Sequence, residues 1–184
     1  MNINTISVSS GNGPGLRLVI WFQGCSLGCH QCFNPQTHDY DSKLLFDPEP
    51  LLALTLNFMS TNKLRGVTLS GGEPLEQAKD VLAYLKSLPS SLDILLFTGY
   101  TKDEILGDNI RRSVVCSCDA VLSGRYVSRS NKHPLASKNL LLITDRIQAS
   151  ELSFHQTVSA NVSSDALLYS GFPRVPLALD GQRL

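Results

Sequence analysis

Three cysteines crowd into one short stretch of this chain, Gly24-Cys25-Ser26-Leu27-Gly28-Cys29-His30-Gln31-Cys32, and no fourth cysteine lies near them. The spacing is C-x3-C-x2-C. A closed structural zinc site or an ordinary electron-transfer cluster takes four protein ligands. Three thiolates on a cubic 4Fe–4S cluster leave one iron open, and an open iron can bind a small molecule and act on it. The competing reading is a zinc ion with His30 or His38 as fourth ligand. A second segment, Gly71-Gly72-Glu73-Pro74, has no side chains at its first two positions, so a ligand can approach the backbone closely there. Its amides and carbonyls suit the ammonium and carboxylate of a zwitterion, with Glu73 orienting the ammonium or its hydrogen-bond network. Thr98-Gly99 is a third polar turn.

The elements that must position these residues alternate between strand and helix patterns. Leu16 to Phe22 is a nearly continuous apolar run that reads as a buried strand and leads straight into the cysteines. A glycine-rich turn, Gly11 to Gly15, precedes it. Asp47-Pro48 has the form of a helix start, followed by Leu51, Leu54, Thr55 and Phe58 on one face. Gly66 to Ser70 reads as a second strand, and the glycine segment then opens a helix with Leu75, Ala78, Val81, Leu82 and Leu85 inward. Asp93 to Phe97 is a third strand. Thr101 and Glu104 have capping-box spacing for a third helix, and Ala120 to Leu122 is a fourth strand. This order predicts an α/β fold built on a parallel sheet or partial barrel, in one domain spanning 1–184 with its core at 11–127. In such folds the loops at the C-terminal strand ends share one edge, so the cysteine, glycine and threonine loops are expected to meet.

Beyond residue 127 the expectations are sparser. Ser123 to Ser137 reads as polar loop, Leu140 to Ile143 as another strand, and 157–170 as a hairpin around Ser163-Ser164-Asp165. Cys116 and Cys118 lie in a strand-like run with both thiols on one face. Small buried hydrophobes suit that pair better than a redox role. Arg17 is expected to bind a carboxylate or phosphate, or to form a structural ion pair.

Composition narrows the function classes. The chain has 184 residues, 42% of them hydrophobic and 17% charged, as in a folded globular protein. Lys plus Arg is 16 and Asp plus Glu is 16. A net charge of zero argues against nucleic acid or an anionic membrane as partner. The apolar runs are too short to span a bilayer, and no targeting segment is visible. An odd set of 5 cysteines argues against a disulfide framework and for a reducing cytoplasm.

The cysteine loop after one strand and Gly-Gly-Glu-Pro after the next resemble the radical S-adenosylmethionine enzymes. The match extends to the small glycyl-radical activases. Gly13-Pro14-Gly15-x-Arg17, Phe22-Gln23-Gly24-Cys25 and Cys32-Phe33-Asn34-Pro35 are similar to the activating component of anaerobic ribonucleotide reductase. So are Leu69 to Leu75 and Phe97 to Thr101. The resemblance implies that Cys25, Cys29 and Cys32 bind a 4Fe–4S cluster. It implies that Ser70, Gly71, Gly72, Glu73 and Thr98 bind S-adenosylmethionine, chelated at the open iron. One electron, from a flavodoxin or ferredoxin, would cleave the sulfonium to methionine and a 5′-deoxyadenosyl radical. That radical would take a hydrogen from a glycine of a large partner subunit. Two alternatives stay open: an enzyme of the same superfamily acting on a small molecule or peptide, and a non-catalytic iron–sulfur or zinc module. The chain departs from the family pattern in three places. Gln31 stands where an aromatic residue is common, with Phe33 next to the cysteine as its replacement. Ala136-Ser137-Lys138-Asn139 stands where the activases carry a Gly-Ser-Ser-Asn-Gln-like segment. The chain also continues through Gly171-Phe172-Pro173 to Leu184, an extension over 128–184.

Overall fold

The computed structural model describes residues 1–127 and 137–152, and the backbone of 158–162 and 167–171. Its centre is a six-stranded sheet whose spatial order follows the chain. The strands are β1 (Ile3–Ser9), β2 (Arg17–Phe22), β3 (Gly66–Gly71), β4 (Asp93–Phe97), β5 (Ala120–Ser123) and β6 (Asn139–Leu142). The four central strands run parallel. Both edges are antiparallel, β1 against β2 and β6 against β5. The sheet is therefore mixed, which corrects the expectation of a parallel one. The link from β1 to β2 is too short for the helical crossover that a parallel pair needs. β6 follows a polar segment with no helical pattern, so it too returns antiparallel.

The crossovers are α1 (Pro48–Thr61), α2 (Ala78–Ser87), α3 (Lys102–Leu106) and α4 (Asn109–Cys116). Proline occupies the first turn of α1, as its sequence predicts. The turn Pro74–Gln77 is a 3₁₀ helix that leads into α2. Thr101 and Glu104 form the expected reciprocal capping box. The third helix is split, however: α3 stops at Gly107, and Asp108 caps α4 by accepting from the amides of Ile110 and Arg111. Cys116 therefore ends a helix and is exposed, while Cys118 is buried and donates to the Val114 carbonyl. The two thiols do not share a strand face.

The core follows the strand period of two. Leu18, Ile20, Phe22, Val67, Leu69, Ile94, Leu96 and Val121 pack under the helices with Leu51, Val81, Tyr84 and Val114. Leu95, Phe97, Ala120 and Leu122 point to the other face, where Ile147 and Leu152 cover them. Each such side chain, fully buried, contributes about 1.5–3 kcal/mol. The hydroxyls of Thr55 and Tyr84, 2.7 Å apart, join α1 to α2 within this core.

Polar burial gathers at the N-terminal ends of the strands. Arg17 is fully buried, with Nη1 2.5 Å from Asp93 Oδ1. It also donates to Thr68 Oγ1 at 2.7 Å and the Val67 carbonyl at 2.8 Å. Arg65 bridges Asp93 and Glu151 at 2.8 and 2.6 Å. Arg17 is thus a structural ion-pair residue.

The late expectations hold in part. Leu140 to Leu142 lie in β6. Val158–Val162 and Leu167–Gly171 pair antiparallel as β7 and β8, while the turn residues Ser163 to Asp165 lie outside the described residues. Most of the 123–137 loop and the end of the extension, 172–184, also lie outside them. Among the described residues no helix is long and apolar enough to cross a membrane.

Candidate metal and cofactor site

At the C-terminal strand ends, the loops after β2 and β3 are stitched together by backbone hydrogen bonds. The Gly72 amide donates to the Phe22 carbonyl at 2.8 Å, and the Glu73 amide to the Gly24 carbonyl at 2.9 Å. The amides of Gly24 and Cys25 donate to Thr37 and His38 carbonyls, both at 2.9 Å, which folds the far limb of the cysteine loop back onto its start. Ser26 closes the third side by donating its amide and hydroxyl to Glu76 Oε1 at 2.8 and 2.7 Å. Gln31 adopts a left-handed φ of 52° between the second and third cysteines. A non-glycine residue in that region is strained, and such strain clusters at ligand-holding loops.

The glycines are required by this stitching. Gly71 has φ 100°, and a Cβ there would sit 2.6 Å from the Phe22 nitrogen. A Cβ at Gly72 would lie 2.4 Å from the Gly24 carbonyl oxygen. Any side chain at position 72 would therefore push the cysteine loop away from β3.

Glu73 is buried, and both oxygens of its carboxylate accept hydrogen bonds. Oε1 accepts from the Leu75 amide at 2.9 Å and Thr98 Oγ1 at 2.7 Å, and Oε2 accepts from the Gly99 amide at 2.6 Å. Burial raises its pKa, and the three donors work against that rise. The side chain is thus a strut between the β3 and β4 loops.

Beneath these loops lies a pocket open to solvent, with a cavity volume of about 90 Å³. Cys25, Cys29 and Cys32 line it together with Ser70, Gly71, Gly72, Glu73 and Thr98. All eight residues selected from sequence therefore meet on one cavity. Leu27, Phe33, Asn34, Phe97, Gly99, Tyr126 and Lys138 complete the wall. Phe33 and Tyr126 face each other with ring centroids 6.4 Å apart. Lys138 is the residue that sequence reading missed. Its ammonium donates to the Thr98 carbonyl at 2.9 Å and the Gly124 carbonyl at 2.7 Å. The signal was its position: β6 pairs antiparallel with β5, Asn139 opposite Ser123, so residue 138 must return beside Gly124.

All five cysteines are free thiols. Burial, aided by Glu73 and Glu76, pushes the Cys25 thiol up to about 11. Among the described residues no three His, Cys, Asp or Glu side chains are gathered around a single ion position. The donor set is instead three thiols on the wall of one open pocket, a chemistry that suits a group held by three thiolates.

Comparison with known proteins agrees with this donor set. The family model described as a 4Fe-4S single cluster domain matches residues 11–140. The anaerobic ribonucleoside-triphosphate reductase-activating protein of Enterobacteria phage T4 is 30% identical over 120 residues, covering 62% of this chain and 74% of that one. Its counterpart in Pasteurella multocida is 27% identical, covering 62% and 77%. The pyruvate formate-lyase-activating enzyme of Clostridium pasteurianum is 40% identical over 77 residues, 41% of this chain and 32% of that one. Among solved structures, QueE from Escherichia coli aligns with a TM-score of 0.45 and 23% identity, over 54% of this chain and 52% of that one. The cysteine loop and the glycine segment both fall inside the matched span, and the chain belongs to the 4Fe-4S single cluster domain family, among the activating enzymes of the radical S-adenosylmethionine type.

Proposed function

We propose that this chain is a glycyl-radical activase of the anaerobic ribonucleotide reductase type. The carrying observation is the convergence of Cys25, Cys29 and Cys32 with Ser70, Gly71, Gly72, Glu73 and Thr98 on one pocket. The three thiolates would hold a 4Fe–4S cluster. When bound, that cluster supplies the electron that cleaves S-adenosylmethionine to methionine and a 5′-deoxyadenosyl radical. The chain's own residues do the rest. The side-chain-free edge at Gly71 and Gly72 lets the methionyl end of the ligand lie against backbone. Glu73 keeps the Thr98-Gly99 turn at a fixed distance from that edge. Phe33, Tyr126 and Leu27 present apolar surface at the pocket and limit water around a radical.

The open sheet is read here as the partial barrel of the superfamily, and residues 1–184 as one such domain working in the cytoplasm. The substrate would be a glycine of a large partner subunit, and the electron donor a flavodoxin or ferredoxin. The relatives named for activating ribonucleotide reductase support the choice of partner class.

The test is turnover under anaerobic conditions. Protein reconstituted with iron and sulfide and then reduced is expected to form 5′-deoxyadenosine from S-adenosylmethionine. Cys25→Ala, Cys29→Ala and Cys32→Ala are each expected to form none. Retained turnover in all three variants would sink the assignment. With the cognate large subunit present, the product should be accompanied by a protein-based glycyl radical signal.

A further inference from the structure

Among the described residues, the pocket is lined by one cation and one carboxylate. The cation is Lys138. It is pinned rather than loose: the Thr98 and Gly124 carbonyls hold its ammonium at 2.9 and 2.7 Å. The neighbouring cation, Arg125, is already engaged with both carboxylate oxygens of Glu104 at 2.7 and 2.9 Å and with the Gly99 carbonyl. The pocket's carboxylate, Glu73, is fixed by three donors and acts on Lys138 through its charge alone. What remains is a partly buried ammonium sharing a wall with three thiols. Bridging two carbonyls does not require a charge, because a neutral amide can donate to them. Placing a full positive charge in a desolvated pocket has a cost that a purely structural tie would avoid. Desolvation indeed lowers the Lys138 pKa, and the negative character of Glu73, Cys29 and Cys32 opposes that shift.

We propose that Lys138 is a positioning cation that raises the reduction potential of the cluster held by Cys25, Cys29 and Cys32. The proposal rests on the cluster assignment above. Adding one electron makes the cluster and its thiolates more negative. A fixed positive charge stabilises that reduced state more than the oxidised one, and a low local dielectric enlarges the effect. Charge near a cluster and hydrogen bonding around its ligands are established levers on its potential. The lysine stands in the segment where this chain departs from the activase pattern, so the charge belongs to this chain's own pocket.

The experiment uses the full chain carrying its cluster, titrated anaerobically with dithionite and mediators in the absence of S-adenosylmethionine. The midpoint potential is read from the visible absorbance and the paramagnetic signal. Lys138→Gln keeps a donor for the carbonyls and removes the charge; Lys138→Arg keeps the charge. The account expects a more negative midpoint for the glutamine variant and a near wild-type midpoint for the arginine variant, at equal iron content. Equal potentials in all three proteins would overturn the proposal while leaving the cluster assignment intact. A glutamine variant altered only in its affinity for S-adenosylmethionine would make Lys138 a ligand anchor and overturn it as well. Lys138→Met, which keeps the apolar stem, serves as a second neutral variant. Loss of the cluster from both neutral variants, with folding retained, would mean that Lys138 is needed to hold the cluster rather than to tune it, and would overturn the proposal. A wild-type protein that takes up no cluster would defeat the underlying assignment, and the proposal with it.

Discussion

The two ends of the central strands treat buried polar groups in opposite ways. At the N-terminal ends, buried Arg17 and Asp93 pair with each other, and the more exposed Arg65 and Glu151 extend the chain of ion pairs outward. At the C-terminal ends, three thiols, a glycine edge and an ammonium face a shared space. The first arrangement pairs its charges with one another and serves stability. The second leaves binding capacity in hand and serves chemistry. Buried charge by itself therefore does not mark the site in this fold; what marks it is polar capacity directed at a cavity.

Substitutions should separate the two ends. The largest effect is expected at the thiols. Alanine at Cys25, Cys29 or Cys32 should abolish cluster loading and 5′-deoxyadenosine formation, while thermal unfolding of the metal-free chain shifts little. Iron and sulfide analysis beside a melting curve checks both halves.

At the opposite end the pattern should invert. Asp93→Asn leaves the buried Arg17 guanidinium without its counter-charge, and breaking one side of a buried pair typically costs about 3–5 kcal/mol. Chemical denaturation should show that loss. The fraction that remains folded should still take up iron normally, and a folded variant unable to load iron would blur the division of labour.

Gly72→Ala tests the seam between the loops. Its Cβ would meet the Gly24 carbonyl at 2.4 Å, so the cysteine loop must move. Crowding of this kind costs about 1–3 kcal/mol. The more telling readout is a drop in S-adenosylmethionine affinity larger than the drop in iron content. Glu73→Ala should act in the same direction, weakening S-adenosylmethionine binding with iron retained. Unchanged affinity would mean that the strut is dispensable.

The smallest effect concerns pH. Hydrogen bonding and charge from Arg65 hold the Glu151 carboxyl down at about 2, against an ordinary value of 4.5. A carboxylate depressed in the folded state stabilises the fold above its unfolded pKa and loses that contribution as pH falls. The stability difference between wild type and Glu151→Gln, read from melting of the metal-free chain, should be present at neutral pH. It should shrink as pH falls from about 4.5 towards about 2. The pair is exposed enough that the difference will be slight.

Much of this was readable from residue order because the signals were local. Pro48, the Thr101–Glu104 box and the continuous apolar runs of β2 and β4 each identify an element through their own neighbours. β1 escaped because its pattern is diluted: only Ile3 and Ser9 are fully buried, and the residues between are open or partly open. The antiparallel edges escaped because strand direction depends on the connection, short before β2 and without a helical pattern before β6, which strand periodicity does not encode. The Gly107-Asp108 break divided a helix that its cap had correctly started. Within the site, the thiols and glycines were visible as a spaced motif. Lys138 was not, since a lone lysine in a polar stretch acquires meaning only when β6 carries it back beside Gly124. The strut role of Glu73 was equally hidden, because its three donors come from both its own loop and the next one.

The most direct measurement is the paramagnetic spectrum of the reduced, iron- and sulfide-reconstituted protein, recorded before and after S-adenosylmethionine is added without air. The account predicts a reduced 4Fe–4S signal that changes on addition, because the iron left open by three cysteines becomes the ligand's attachment point. A signal indifferent to S-adenosylmethionine, or a protein that retains zinc in place of iron, would contradict it.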